Sequence, residues 1–108
     1  MGVPLWQESF LAKTTGVIAT YKDDIGASAA NTNVVINFGA GTGAGTLVVE
    51  EAHDAAFAGT WAVLATLTWA AASSVKVALI TGPWKALRLR FTSDVTGGTA
   101  DIYVQANK

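Results

Sequence analysis

The chain has 108 residues, 51% of them apolar and only 14% charged, with seven Lys and Arg set against eight Asp and Glu. That length supports one domain around one core, and the even charge excludes the clustered basic footprint of a nucleic-acid binder. With no cysteine there is no disulfide, thiolate metal site or cysteine nucleophile, and no apolar run approaches the ~18 residues of a membrane span.

The first ten residues crowd Val3, Leu5, Trp6 and Phe10 around Pro4, whose missing N–H argues against a central strand. An apolar N-terminal arm is expected over residues 1–15, ahead of a sandwich over residues 16–108. The arm has two readings: a strap across its own sandwich, or a clasp against a neighbouring subunit. Ordering a free arm costs on the order of 1–2 kcal/mol per residue of backbone entropy. The clasp reading therefore predicts an arm that orders on assembly, with Val3, Leu5, Trp6 and Phe10 as its contacts.

Residues 16–21, 32–38 and 46–52 read as strands, separated by the polar loop KDDIGASAAN and the glycine-dense GAGTGAG. Val34, Ile36 and Phe38 alternate against Val35 and Asn37, the period of two that a half-buried strand needs. A helix over residues 47–57 is the competing reading. Val48, Val49 and the need to pair the next strand favour strand plus loop. That next strand, residues 60–69, carries Trp61, Val63, Ala65, Leu67 and Trp69 on one apolar face. Residues 75–80 form another.

The clearest pair comes last, in GPWKALRLRFTSDVTGGTADIYVQ. Leu87, Leu89 and Phe91 share one face and Arg88 and Arg90 the other, while Ala100, Ile102, Val104 and Ala106 alternate with Asp101, Tyr103 and Gln105. Gly97 and Gly98 in the intervening SDVTGG are free to take positive φ, so the two strands are expected to form a hairpin. About seven or eight short strands with glycine-rich punctuation predict an all-β fold, a single antiparallel β-sandwich or jelly-roll-like domain. Its expected core is Trp61, Val63, Leu67, Leu87, Leu89, Phe91, Ile102 and Val104.

Candidate chemistry is sparse. Gly39, Gly41 and Ala44 match a dinucleotide fingerprint in spacing, but that motif needs a helix to follow and a parallel sheet around it; a hairpin loop is the better reading. Glu50, Glu51, His53 and Asp54 form one acid and histidine cluster, and consecutive positions on a strand splay such groups to opposite faces. A surface strand end is expected there, with a weak hard-cation site as the lesser alternative. A Ser-His-Asp triad around His53 lacks any nucleophile elbow. No catalytic residue, cofactor or metal site is assigned. Trp6, Trp61, Trp69 and Trp84 could form a sugar-stacking platform, although the strand pattern favours core packing for Trp61 and Trp69. Arg88 and Arg90 are expected to pair with Asp101 across the hairpin, or with acidic groups on another subunit.

TLVVEEAHDAAFAGTWAVLATLTW followed by GPWKALRLRFTSDVTGGTADIYVQANK resembles small β-sandwich structural proteins of tailed bacteriophages. The resemblance rests on a Val- and Glu-bearing strand, an Asp-containing loop and a Thr-Trp strand. These precede the Gly-x-Trp-x-x-Leu-Arg-x-Arg pattern of Gly82, Trp84, Leu87, Arg88 and Arg90, and a Gly-Thr-rich final segment. It spans residues 45–108. It implies a non-enzymatic virion component on the capsid surface: a head decoration (cement) protein that binds the major capsid protein and copies of itself as a homotrimer, with neither nucleic acid nor membrane as partner. Arg88 and Arg90 join the arm residues as expected contacts. A tail- or fibre-associated sandwich is the first alternative, and a carbohydrate-binding module the second.

Overall fold

Period-two alternation makes strands of most of this chain. The computed structural model describes residues 4–21, 23–39, 43, 45–54, 56–69 and 75–108. Eight strands run through them: β1 (Pro4–Lys13), β2 (Val17–Tyr21), β3 (Asn31–Phe38), β4 (Gly45–Ala52), β5 (Ala62–Trp69), β6 (Val75–Thr81), β7 (Ala86–Ser93) and β8 (Ala100–Asn107). One helical turn, α1 (Asp23–Gly26), follows β2. On β3 the even positions Thr32, Val34, Ile36 and Phe38 are buried and the odd ones are not, as one buried face requires.

The strands form two four-stranded sheets, ordered β1-β8-β3-β6 and β2-β7-β4-β5, and every pairing is antiparallel. First pairs with last, second with seventh, third with sixth and fourth with fifth. This is the nesting of one long hairpin folded over on itself, the jelly roll. The β-sandwich expected from the alternation is the fold, and strand order makes it a jelly roll.

The expected terminal hairpin is not formed. β7 lies in the second sheet between β2 and β4, and β8 in the first between β1 and β3. Each strand buries one whole face, so each takes a central place with neighbours on both sides. The link between them crosses from sheet to sheet. Val95 N–H donates to the Thr14 carbonyl at 2.8 Å, and Gly39 N–H donates to the Thr99 carbonyl at 3.1 Å. Gly97 takes positive φ within this link.

Residues 4–13, read from the sequence as part of an arm, are a strand. β1 pairs with β8 at the edge of the first sheet, with register shifts between Pro4 and Trp6 and between Phe10 and Lys13. Those shifts break the alternation and hide the strand from a periodicity reading. Pro4 sits at the strand's first residue, a position that tolerates proline. Ala12 takes a positive φ of 57° at the second shift, and its N–H donates to Asp101 Oδ1 at 2.9 Å.

Between the sheets one cluster joins Val34, Ile36, Ile102 and Val104 of the first sheet to Leu47, Val49, Leu87, Leu89 and Phe91 of the second. Trp69 closes one side, its ring centroid 4.3 Å from that of Phe38 and 6.3 Å from that of Phe91. Its Nε1–H donates to the Gly43 carbonyl at 2.8 Å. A Cβ at Gly45 would collide with this indole, so the glycine is there to admit the ring. Trp84 is also buried, and its Nε1–H donates to the wholly buried Thr32 hydroxyl at 2.9 Å.

Two expected core residues lie elsewhere. A bulge in the β4–β5 ladder pairs Val49 with Ala65 but Glu50 with Val63. The extra residue, Leu64, shifts the upstream part of β5 by one position, which turns its apolar face outward. Val63 is 53% exposed, and Trp61 is buried on the outer surface of the second sheet, outside the core cluster. Leu67, Leu87, Leu89, Phe91, Ile102 and Val104 are core as expected.

Two substitutions test this assignment by denaturant unfolding. Leu89→Ala should cost about 2–5 kcal/mol through lost burial and a residual cavity. Val63→Ala should cost within about 0.5 kcal/mol, as surface changes do. Equal losses would place Val63 back in the core.

Candidate functional site

The second sheet presents a charged outer surface built around Glu50. Its side chain is 2% exposed, which for a carboxylate demands partners. β7 supplies them from two successive outward positions. Arg88 Nε donates to Glu50 Oε1 at 2.8 Å; Arg90 donates from Nε to Oε1 and from Nη2 to Oε2, each at 3.0 Å. Arg90's bonds, ahead of those from Arg88, hold the Glu50 carboxyl below the usual carboxylate range, while burial pulls the other way. The same contact raises Arg90.

Trp61 roofs this cluster. The Arg88 guanidinium lies 4.4 Å from its ring centroid, a cation–π distance, and Trp61 Nε1–H donates to the Phe57 carbonyl at 3.0 Å. Phe57 in turn meets His53 at 4.8 Å between ring centroids. The turn beneath is set by Asp54, whose Oδ1 accepts from Ala56 N–H at 2.8 Å.

The structure thus separates the acid and histidine cluster. Glu50 is buried in an ion cluster, which corrects its reading as part of a surface strand end. His53 and Asp54 are exposed, and Glu51 and His53 line a groove at the sandwich end beside Phe57, Trp84 and Lys85. Among the described residues no three His, Cys, Asp or Glu side chains converge as a metal site. Of the dinucleotide-like positions, Gly41 and Ala44 lie outside the described residues; the chain continues from Gly45 as strand β4 in an antiparallel sheet.

The expected pairing of Arg88 and Arg90 with Asp101 is also corrected. Asp101 belongs to the other sheet and accepts from Ala12. Of the expected arm contacts, Val3 lies outside the described residues. Leu5 is exposed, whereas Trp6 and Phe10 are half-buried against the core. The four tryptophans form no common platform, because Trp69 and Trp84 are buried in the core cluster and Trp61 is buried against Arg88 outside it.

The first sheet has a different outer surface, which the sequence reading did not single out. One row across it runs Val77–Val35–Tyr103–Ser9 and the next Leu79–Asn33–Gln105–Gln7. Val75, Val77 and Leu79 project from the edge strand β6, the latter two 60% exposed. Among the described residues no Lys or Arg occupies an outward position of this sheet. Apart from Asp101 on β8, which accepts from Ala12 N–H, the outward positions are uncharged, amide-rich and partly aliphatic.

No protein-family model matches this sequence, and no curated protein does. Solved structures share the fold. The SPBc2 prophage-derived protein YomS superposes with a TM-score of 0.62 at 9% identity, over 99% of this chain and 97% of its own. The PBSX exported protein XepA gives 0.59 at 12% identity, over 99% of this chain and 37% of its own. A protein of the disulfide-linked pili that form Bacillus endospore appendages gives 0.52 at 15% identity, over 99% and 90%. Likeness at these identities is one of fold.

The Glu50 cluster makes stability depend on pH in a stated direction. A carboxyl whose folded pKa lies below its unfolded one stabilises fully above the unfolded value, and the contribution is lost as pH falls through the folded value. The melting temperature should therefore drop as pH falls below about 4.5, and Glu50→Gln should flatten part of that drop. At pH 7, Glu50→Ala should cost about 1–3 kcal/mol. That is below the loss for a fully buried pair, since both guanidinium groups keep contact with water. An unchanged acid limb in Glu50→Gln would assign the pH dependence to other carboxylates.

Proposed function

We propose that this chain is a non-enzymatic structural protein of a bacteriophage particle, and specifically a head decoration protein. It binds the outer surface of the capsid through the major capsid protein and assembles with copies of itself as a homotrimer. The observation that carries this reading is the likeness of fold to the prophage-derived YomS, which extends over almost the whole of each chain. The likeness to XepA and to a pilus protein supports the broader reading of a virion-associated or pilus-like building block.

The surface supports the reading in a second way. Val75, Val77 and Leu79 are exposed in one line along an edge strand, an aliphatic stripe of the kind that marks protein contacts. Leu5 is exposed at the other edge of the same sheet. These four are assigned to subunit or shell contact. Arg88 and Arg90 reach such a contact only through their solvent-facing edges, because Glu50 occupies their inner ones.

Two measurements test the proposal. Quantitative mass spectrometry of purified particles should find copies on the order of the capsid-protein count. A handful per particle would move the chain to the tail or its fibres. Purified protein should also co-sediment with heads that lack it, and Leu79→Asp should weaken that binding at least tenfold while leaving the melting temperature within a few degrees. Undiminished binding by Leu79→Asp would remove the stripe from the contact.

A further inference from the structure

A groove of about 660 Å³ crosses β1, β8 and β3 on the outer surface of the first sheet. Gln7, Ser9, Asn33, Val35, Tyr103 and Gln105 line it. We propose that it is a binding site for a neutral, polyhydroxylated ligand, the uncharged pyranose chain of a polysaccharide.

The lining chemistry selects that class. Each carboxamide offers one oxygen acceptor and two N–H donors, which matches hydroxyl groups that donate and accept at once. The register sets Asn33, Gln105 and Gln7 side by side on three adjacent strands. Strands lie about 4.8 Å apart, so the amides form a ladder able to follow successive hydroxyls along a chain of sugars. Beside the ladder, Val35 and the ring of Tyr103, which is 40% exposed, give an apolar strip for the C–H face of a pyranose.

The ladder is partly held in place. Gln105 Nε2 donates to Asn107 Oδ1 at 2.8 Å, and Asn107 Nδ2 donates to Asn31 Oδ1 at 2.9 Å. A side chain already fixed loses less entropy when it binds. Among the described residues, the side chains of Gln7, Asn33 and Tyr103 have no hydrogen-bond partner within the protein, so their polar atoms are available to a ligand.

Other classes fit less well. The one charged residue in the lining is Glu8, and a phosphate, a nucleic acid or an acidic glycan calls for a cation. A peptide added as a strand would use a sheet edge, whereas this groove lies across the sheet and is centred on β8. The β6 stripe assigned above to particle contact borders the groove, with Val77 opposite Val35 and Leu79 opposite Asn33, but none of its residues lines it.

Affinity electrophoresis through native gels tests the proposal, with dextran, mannan or galactan as neutral polymers and polygalacturonate or heparin as anionic ones. The protein should be retarded by at least one neutral polymer and by neither anionic one. Asn33→Ala and Tyr103→Ala should each weaken that retention at least tenfold, and Gln7→Ala on the edge strand serves as a third variant. Thr68→Ala, on the outer surface of the other sheet, should leave retention unchanged. Thermal melts confirm that the variants remain folded. Free migration in all three neutral gels, retention that survives all three groove variants, or retention confined to the anionic gels would each overturn the assignment. Because Val75→Asp, at the end of the stripe opposite Asn37 and outside the groove lining, should impair particle binding without affecting retention, a failure here is distinguishable from a failure of the decoration reading.

Discussion

The fold depends on burying two apolar rows against each other: Leu87, Leu89 and Phe91 of β7, and Ile102 and Val104 of β8, all in one core cluster. Each such side chain contributes roughly 1.5–3 kcal/mol when taken out of water. A strand that buries a whole face must be flanked on both sides, so these two strands claim the centres of opposite sheets. They cannot do so and also pair with each other. The remaining strands are then placed by having to flank them, and the nested jelly-roll order follows.

The two outer surfaces divide the polar chemistry. On the second sheet two arginines converge on one carboxylate and one of them stacks on Trp61, so the charges there are largely consumed by structure. On the first sheet the outward positions carry amides, hydroxyls and aliphatic groups, with Asp101 accepting from Ala12 N–H. Such a surface can bind uncharged partners with little dependence on salt, because screening acts on charges and leaves amide contacts alone.

Much of this was legible from periodicity. Seven of the eight strands fall where alternation placed them, and six of the eight expected core residues are core. What periodicity lacks is pairing, since a strand's alternation says which face is buried and nothing about its neighbour. That is why the last two strands read as a hairpin. A bulge is equally silent: nothing in TWAVLATLTW marks the extra residue that turns Val63 outward. Ion partners follow pairing, so Arg88 and Arg90 were matched to Asp101 when the register brings them to Glu50. The groove on the first sheet was missed for the same reason. Its amides come from three strands far apart in sequence and meet only through the register.

The sandwich has four edge strands, and each is spoiled as a template for further strands. β1 begins at a proline and carries two register shifts; β2 is five residues long with one shift. β5 holds the bulge. β6 sets Lys76 opposite Ile36, on the register of the buried face, and an inward-pointing charge on an edge strand discourages pairing. At high concentration, copies with open edges would risk joining into continuous ribbons. With the edges closed to growth, association is left to the faces, where an isologous or ring-closing contact stops at a fixed number of subunits.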